Sequence, residues 1–131
     1  MLPINIAVVD DEPETETIYA FALRKFIRDK KAHLHYFPGG YELLDFLQEK
    51  KDEIKILILV SDINMPNMNG IELIKRIRKD FPYIDLYLSS AYDASSYQEQ
   101  MKKNNVIDFF EKPVDFDRIH KMIEHKLSVT I

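Results

Sequence analysis

Asp10, Asp11, Asp62, Ser90 and Lys112 are the residues whose types and places suit chemistry. Each follows a short apolar run. Asp10 and Asp11 close Ile4–Val9, and Asp62 follows Ile56–Ser61. Ser89 and Ser90 end the run from Ile84, and Lys112 comes just after Val106–Phe110. A lone aspartate at such a tip can cap a helix, bind a metal or act as a nucleophile. Three carboxylates brought together repel one another, and their pKa values rise unless a cation sits among them. Oxygen ligands with no His or Cys suit a hard cation, Mg²⁺ or Mn²⁺, rather than zinc. Mg²⁺ takes few protein ligands, keeps waters and accepts phosphate oxygens. A carboxylate beside it can attack phosphorus and form an aspartyl phosphate. The metal then offsets charge on the phosphoryl oxygens. A lysine adds a second positive charge, and a serine hydroxyl can bond a further oxygen.

The elements that must position this set can be read from periodicity. Ile4–Val9 is rich in β-branched residues and predicts a buried strand. Pro13 suits the first turn of the helix that follows, whose face is Tyr19, Ala22, Leu23, Phe26 and Ile27. Leu34–Phe37 predicts a second strand, closed by Pro38-Gly39-Gly40. Tyr41–Lys50 predicts a helix with Leu43, Leu44 and Leu47 inward, and polar Glu49–Lys55 leads on to Ile56–Ser61, the central strand. Gly70 opens a helix with Leu73, Ile74, Ile77 and Phe81 on its face, ended by Pro82. Ile84–Ser89 is the fourth strand. Asp93–Asn104 predicts a helix marked only by Ala94, Tyr97 and Met101. Val106–Phe110 is the fifth strand, and Asp115 caps a last helix carrying Phe116, Ile119, Ile123 and Leu127. Alternating strands and helices with short connections imply a doubly wound α/β fold, a five-stranded parallel sheet with helices on both faces. In such sheets ligands bind at the carboxyl ends of the strands, so all the residues named above meet on one edge.

Composition narrows the partners. The 131 residues suit one domain, and 46% hydrophobic residues supply a core. A net charge of −4 argues against a nucleic-acid surface. The absence of cysteine excludes disulfide and thiolate chemistry and fits a reducing cytoplasm. The N-terminus has no basic region ahead of its apolar residues, unlike a signal peptide. The run Ile56–Val60 is too short to span a membrane.

"VVDDEP", "SDINMPNMNG", "LSSA" and "DFFEKP" occur in an order and at a spacing that covers essentially the whole chain. With them the chain resembles the receiver domain of two-component response regulators. The resemblance implies a flavodoxin-like sheet of order 2-1-3-4-5 and residues 1–131 as one receiver, either standing alone or cut from a longer regulator. It implies that Asp62, followed by Met65-Pro66 and Gly70, is the phosphoacceptor. It implies that Asp11 touches Mg²⁺ directly, that Asp10 acts through water, and that the backbone carbonyl of Asn64 is a further ligand beside Asp62. Ser90, preceding Ala91, takes the hydroxyl role in preference to Ser89. By the same resemblance Lys112 would contact the phosphoryl group, with a cis bond to Pro113, and Phe109 would be the switch aromatic. The implied partners are a histidine kinase or histidine phosphotransfer protein upstream and an output domain or target protein downstream. The protein would catalyse only its own phosphorylation and dephosphorylation.

Plainer readings stand beside these. Asp10 or Asp11 alone serves as an N-cap, Lys112 as a solvated lysine, and Phe109 as core. His33 and His35 share a strand face but lack an evident third metal ligand. His120 and His125, five apart, do not share a helix face. A rival function is a Mg²⁺-dependent phosphatase with an aspartyl nucleophile. Such enzymes place a second aspartate two residues on as general acid, and that position is Asn64. A degenerate receiver that only binds partners is the third reading, but neither the acceptor nor the lysine is lost.

Overall fold

The two central strands are apolar on both sides, and that decides the architecture. In the computed structural model, which describes residues 3–130, β1 (Ile4–Val9) and β3 (Ile56–Asp62) are buried almost throughout. Strands of this kind need helices on both faces. The remaining strands are β2 (Ala32–Phe37), β4 (Asp85–Ser90) and β5 (Val106–Glu111). All pair in parallel, in the order β2-β1-β3-β4-β5. This is the flavodoxin-like order that the resemblance implies.

Six α-helices cover the sheet: α1 (Glu14–Ala22), α2 (Arg24–Arg28), α3 (Gly40–Lys50), α4 (Gly70–Asp80), α5 (Gln98–Lys103) and α6 (Phe116–Val129). One core packs Leu43 and Leu47 of α3, Leu73, Ile74 and Ile77 of α4 and Met101 of α5 against the sheet. On the other face lie Tyr19, Leu23, and Ile119, Ile123 and Leu127 of α6. Parallel strands all end on one edge, so this wrapping brings the tips of β1, β3, β4 and β5 together.

Two helices depart from the periodicity. The single helix expected after Pro13 breaks at Leu23 into α1 and α2. Side chains from outside the ladder take the carbonyls there. His120 Nε2 lies 2.6 Å from the Ala22 oxygen, and Arg24 Nη1 donates to the Phe21 oxygen at 2.8 Å. The stretch Asp93–Asn104 is not one helix either. Asp93 accepts from Ser95 N–H at 2.9 Å, a 3₁₀ turn spans Ser95–Tyr97, and only then does α5 begin. Its scant apolar face, buried only at Ala94 and Met101, gives packing little to hold a longer helix with.

Candidate functional site

β1 delivers Asp10 to the edge at 2% exposure, and the following Asp11 is exposed. Asp10 is not a helix cap, because Pro13 holds that place in α1. Instead its Oδ1 accepts the Glu12 N–H at 2.9 Å and its carbonyl accepts the Tyr36 hydroxyl at 2.5 Å. These bonds turn the chain so that Oδ2 faces Lys112. β3 carries Asp62 to the same edge at 5% exposure, where its Oδ1 lies 3.4 Å from the Asn64 N–H. The loop after it closes through Gly70 N–H on the Ile63 carbonyl at 2.9 Å.

Lys112 follows β5, and its peptide bond to Pro113 is cis. Its Nζ sits 2.7 Å from Asp10 Oδ2 and 3.3 Å from Asp62 Oδ2, with Glu12 Oε1 further off at 3.8 Å. One ammonium therefore bridges two buried carboxylates. Burial raises the pKa of Asp62 above its ordinary 3.8; Lys112 opposes that rise, Asp10 adds to it, and the Asn64 N–H opposes it. Burial also disfavours the charge on Lys112. The hydrogen bond and charge of Asp10, together with those of Asp62, outweigh that and raise its pKa.

Asp10, Asp11 and Asp62 each offer a carboxylate oxygen within 4.8 Å of the others. Among the described residues no other group of three His, Asp or Glu side chains is spaced for a metal. Three hard oxygen donors fit Mg²⁺ or Mn²⁺. His33 is exposed, and His35 bonds Asn5 Oδ1 at 2.9 Å, so each histidine of that pair has a plain role. His120 serves the helix break, and His125 is exposed.

The two serines at the end of β4 separate cleanly. Ser89 pairs in register with Asp62 and faces the cavity beside α1 and α6. Ser90 points toward the loop after β3, where its hydroxyl donates to Asn64 Oδ1 at 2.6 Å. Phe109 is half-buried at the margin of the core under α3, α4 and α5. Two partners escape notice in the sequence: the Asn64 side chain and the Tyr36 hydroxyl. Gly70, which the sequence shows opening the helix after β3, also shapes the loop before it. A Cβ at Gly70 would lie 2.3 Å from the Asp62 carbonyl oxygen, so the loop folds back only over a glycine.

The family of response regulator receiver domains matches residues 6–124. The chain belongs to that family. The receiver is 29% identical to the chemotaxis protein CheV2 of Helicobacter pylori, in an alignment covering 81% of this chain and 34% of that protein. It is 32% identical to an uncharacterized 14.6 kDa protein of Leptolyngbya boryana, covering 86% of this chain and 81% of that one. It superposes on a response regulator receiver protein from Pseudomonas putida with a TM-score of 0.81 and 21% identity, covering 95% and 98% of the two chains. The receiver thus spans about a third of the CheV2 protein. Receiver domains of this family are phosphoacceptor signalling domains, and this chain carries the acidic cluster at the expected edge. Among the described residues no helix is long and apolar enough to cross a membrane.

Proposed function

We propose that Asp62 accepts a phosphoryl group from the phosphohistidine of a histidine kinase or histidine phosphotransfer protein. The carrying observation is the Lys112 ammonium lying between Asp10 and Asp62, with Asp11 alongside. An Asp62 carboxylate oxygen attacks phosphorus, the P–N bond breaks, and its electron pair stays on the departing imidazole. Asp10, Asp11, Asp62 and the Asn64 carbonyl would hold Mg²⁺, which when bound offsets charge on the phosphoryl oxygens. Lys112 Nζ, 3.3 Å from Asp62 Oδ2, is placed to donate to one phosphoryl oxygen, and Ser90 to another. Water then hydrolyses the acyl phosphate and resets the protein. Residues 1–131 act as one receiver, which modifies itself and turns over no separate substrate. The phosphorylated form signals to an output domain or target protein in the cytoplasm, with Phe109 moving alongside Ser90. It makes no direct contact with nucleic acid or membrane.

The phosphatase reading fares worse on the same ground. The residue two past Asp62 is Asn64, whose carboxamide has no acidic proton to give a leaving group and whose Oδ1 accepts a hydrogen bond from Ser90. The test is intact mass after incubation with Mg²⁺ and acetyl phosphate. Wild type should gain one phosphoryl group and Asp62→Asn none. An undiminished adduct in the variant moves the acceptor elsewhere.

A further inference from the structure

The Ser90 hydroxyl has one proton to give, and it is already given. Ser90 Oγ donates to Asn64 Oδ1 at 2.6 Å and accepts the Tyr92 N–H at 3.0 Å. With Tyr92 on a lone pair, the proton is left for Asn64. Ser90 is 2% exposed, whereas Asn64 is exposed on the loop after β3. The same residue reaches the acceptor through its backbone, with its N–H 3.4 Å from Asp62 Oδ1. Asn64 therefore touches both groups that must handle a phosphoryl oxygen, one through the main chain and the other through the side chain.

We infer that the Asn64 carboxamide is a positioning residue that latches Ser90 in the unphosphorylated state. The inference rests on the receiver reading of Asp62. One proton cannot serve Asn64 and a phosphoryl oxygen at once. Phosphorylation must therefore take Ser90 from Asn64, and the end of β4 moves only when that bond breaks. A ligand shifts such an equilibrium only by its differential contacts, so every contact holding the resting state subtracts from the shift. A neutral hydrogen bond of this kind is worth about two- to tenfold in an equilibrium. Nothing in the bond depends on charge, so the latch is insensitive to salt.

The test uses beryllofluoride, a mimic of the aspartyl phosphate, with Mg²⁺ and the full chain. Removing the acceptor in Asn64→Ala, or in Asn64→Leu of similar shape, should tighten beryllofluoride binding about two- to tenfold. Both variants keep the backbone groups at position 64. The gain must run through Ser90, so Asn64→Ala added to Ser90→Ala should change nothing further. A second readout needs no metal. In chelator, amide exchange at Tyr92 should quicken about two- to tenfold in both Asn64 variants, because the hydroxyl that holds it is freed. Wild type that binds no beryllofluoride overturns the receiver reading and this inference with it. Binding by wild type that is unchanged or weaker in the Asn64 variants overturns the inference alone. So does a gain that persists at full size without the Ser90 hydroxyl, or an unaltered Tyr92 amide.

Discussion

At the scale of single residues, the site holds a conflict that metal-free measurements expose. Asp62 is buried, and burial raises its pKa. A carboxyl whose pKa is higher folded than unfolded carries a penalty that is complete above the folded value and gone below the unfolded one. Asp62→Asn should therefore stabilise the protein in chelator by about 1 kcal/mol, or roughly 3–5 °C in Tm. The gain should be full at neutral pH and fade as the pH falls through the raised pKa toward 3.8, as urea midpoints across pH will report. A variant no more stable than wild type at pH 7 refutes the penalty. Lys112→Met should do the opposite. It strips two buried carboxylates of a common partner at 2.7 and 3.3 Å. With the lysine side chain 22% exposed, the loss should be about 1–3 kcal/mol in chelator. Adding Mg²⁺ should recover part of it, and a variant as stable as wild type without metal would mean the bridge contributes nothing. These residues were legible because each closes an apolar run, and parallel strands send their ends to one edge. The Asn64 side chain was not legible. Its bond to Ser90 ties the loop after β3 to the end of β4, and strand periodicity is silent about where loop side chains turn.

At the scale of elements, the strands and most helices follow from pattern because burial on two faces leaves no other arrangement for runs like Ile56–Val60. The break in the first helix does not follow from pattern. Its residues keep a continuous apolar face, and one of the two competing hydrogen bonds comes from His120, ninety-eight positions away in sequence. A window along the chain cannot see it. The turn after β3 depends on Gly70 in a way that pattern half reveals. The glycine is needed for close approach, since its φ is not positive and a Cβ there would press on the Asp62 carbonyl at 2.3 Å. Backbone cannot give way as a flexible side chain does. Gly70→Ala should cost about 1–3 kcal/mol, read as a lowered urea midpoint, and should displace Asp62 enough to weaken Mg²⁺ binding. Asn67, which does sit at a φ of 69°, should by contrast accept glycine with little loss. Equal tolerance at both positions would show that the loop relaxes freely.

At the scale of the whole molecule, the question is how far a change at Asp62 travels. On the proposed function, the path leads through Ser90 into the segment before α5. That segment is loosely held: Ala91, Tyr92, Asp93, Ser95 and Ser96 are exposed, and Ala94 alone is buried among them. Its side-chain bonds are short-range, from Ser95 to Asp93 and from Tyr92 to Ser90. The far end of α5 is tied differently. Arg78 of α4 donates to the carbonyls of Asn104 at 2.8 Å and Asn105 at 3.3 Å, and to Pro82 at 2.8 Å. One guanidinium thus clamps the α5–β5 turn onto α4, beside buried Met101. Segments with few buried contacts open at low free energy, and clamped ones do not. The moving part should then be Ala91–Gln98, pivoting about Asn104, with Phe109 on β5 following the space that opens. Hydrogen exchange with and without beryllofluoride and Mg²⁺ should change in Ala91–Gln98 and around Phe109. It should change little at Asn104–Asn105 and little across Thr15–Arg28, on the opposite face of the sheet. Arg78→Ala should let the change spread into Asn104–Asn105 while leaving phosphorylation of Asp62 intact. A wild-type response as large at Asn104–Asn105 as at Ala91–Gln98 would mean that α5 moves as one body and that Arg78 is no pivot.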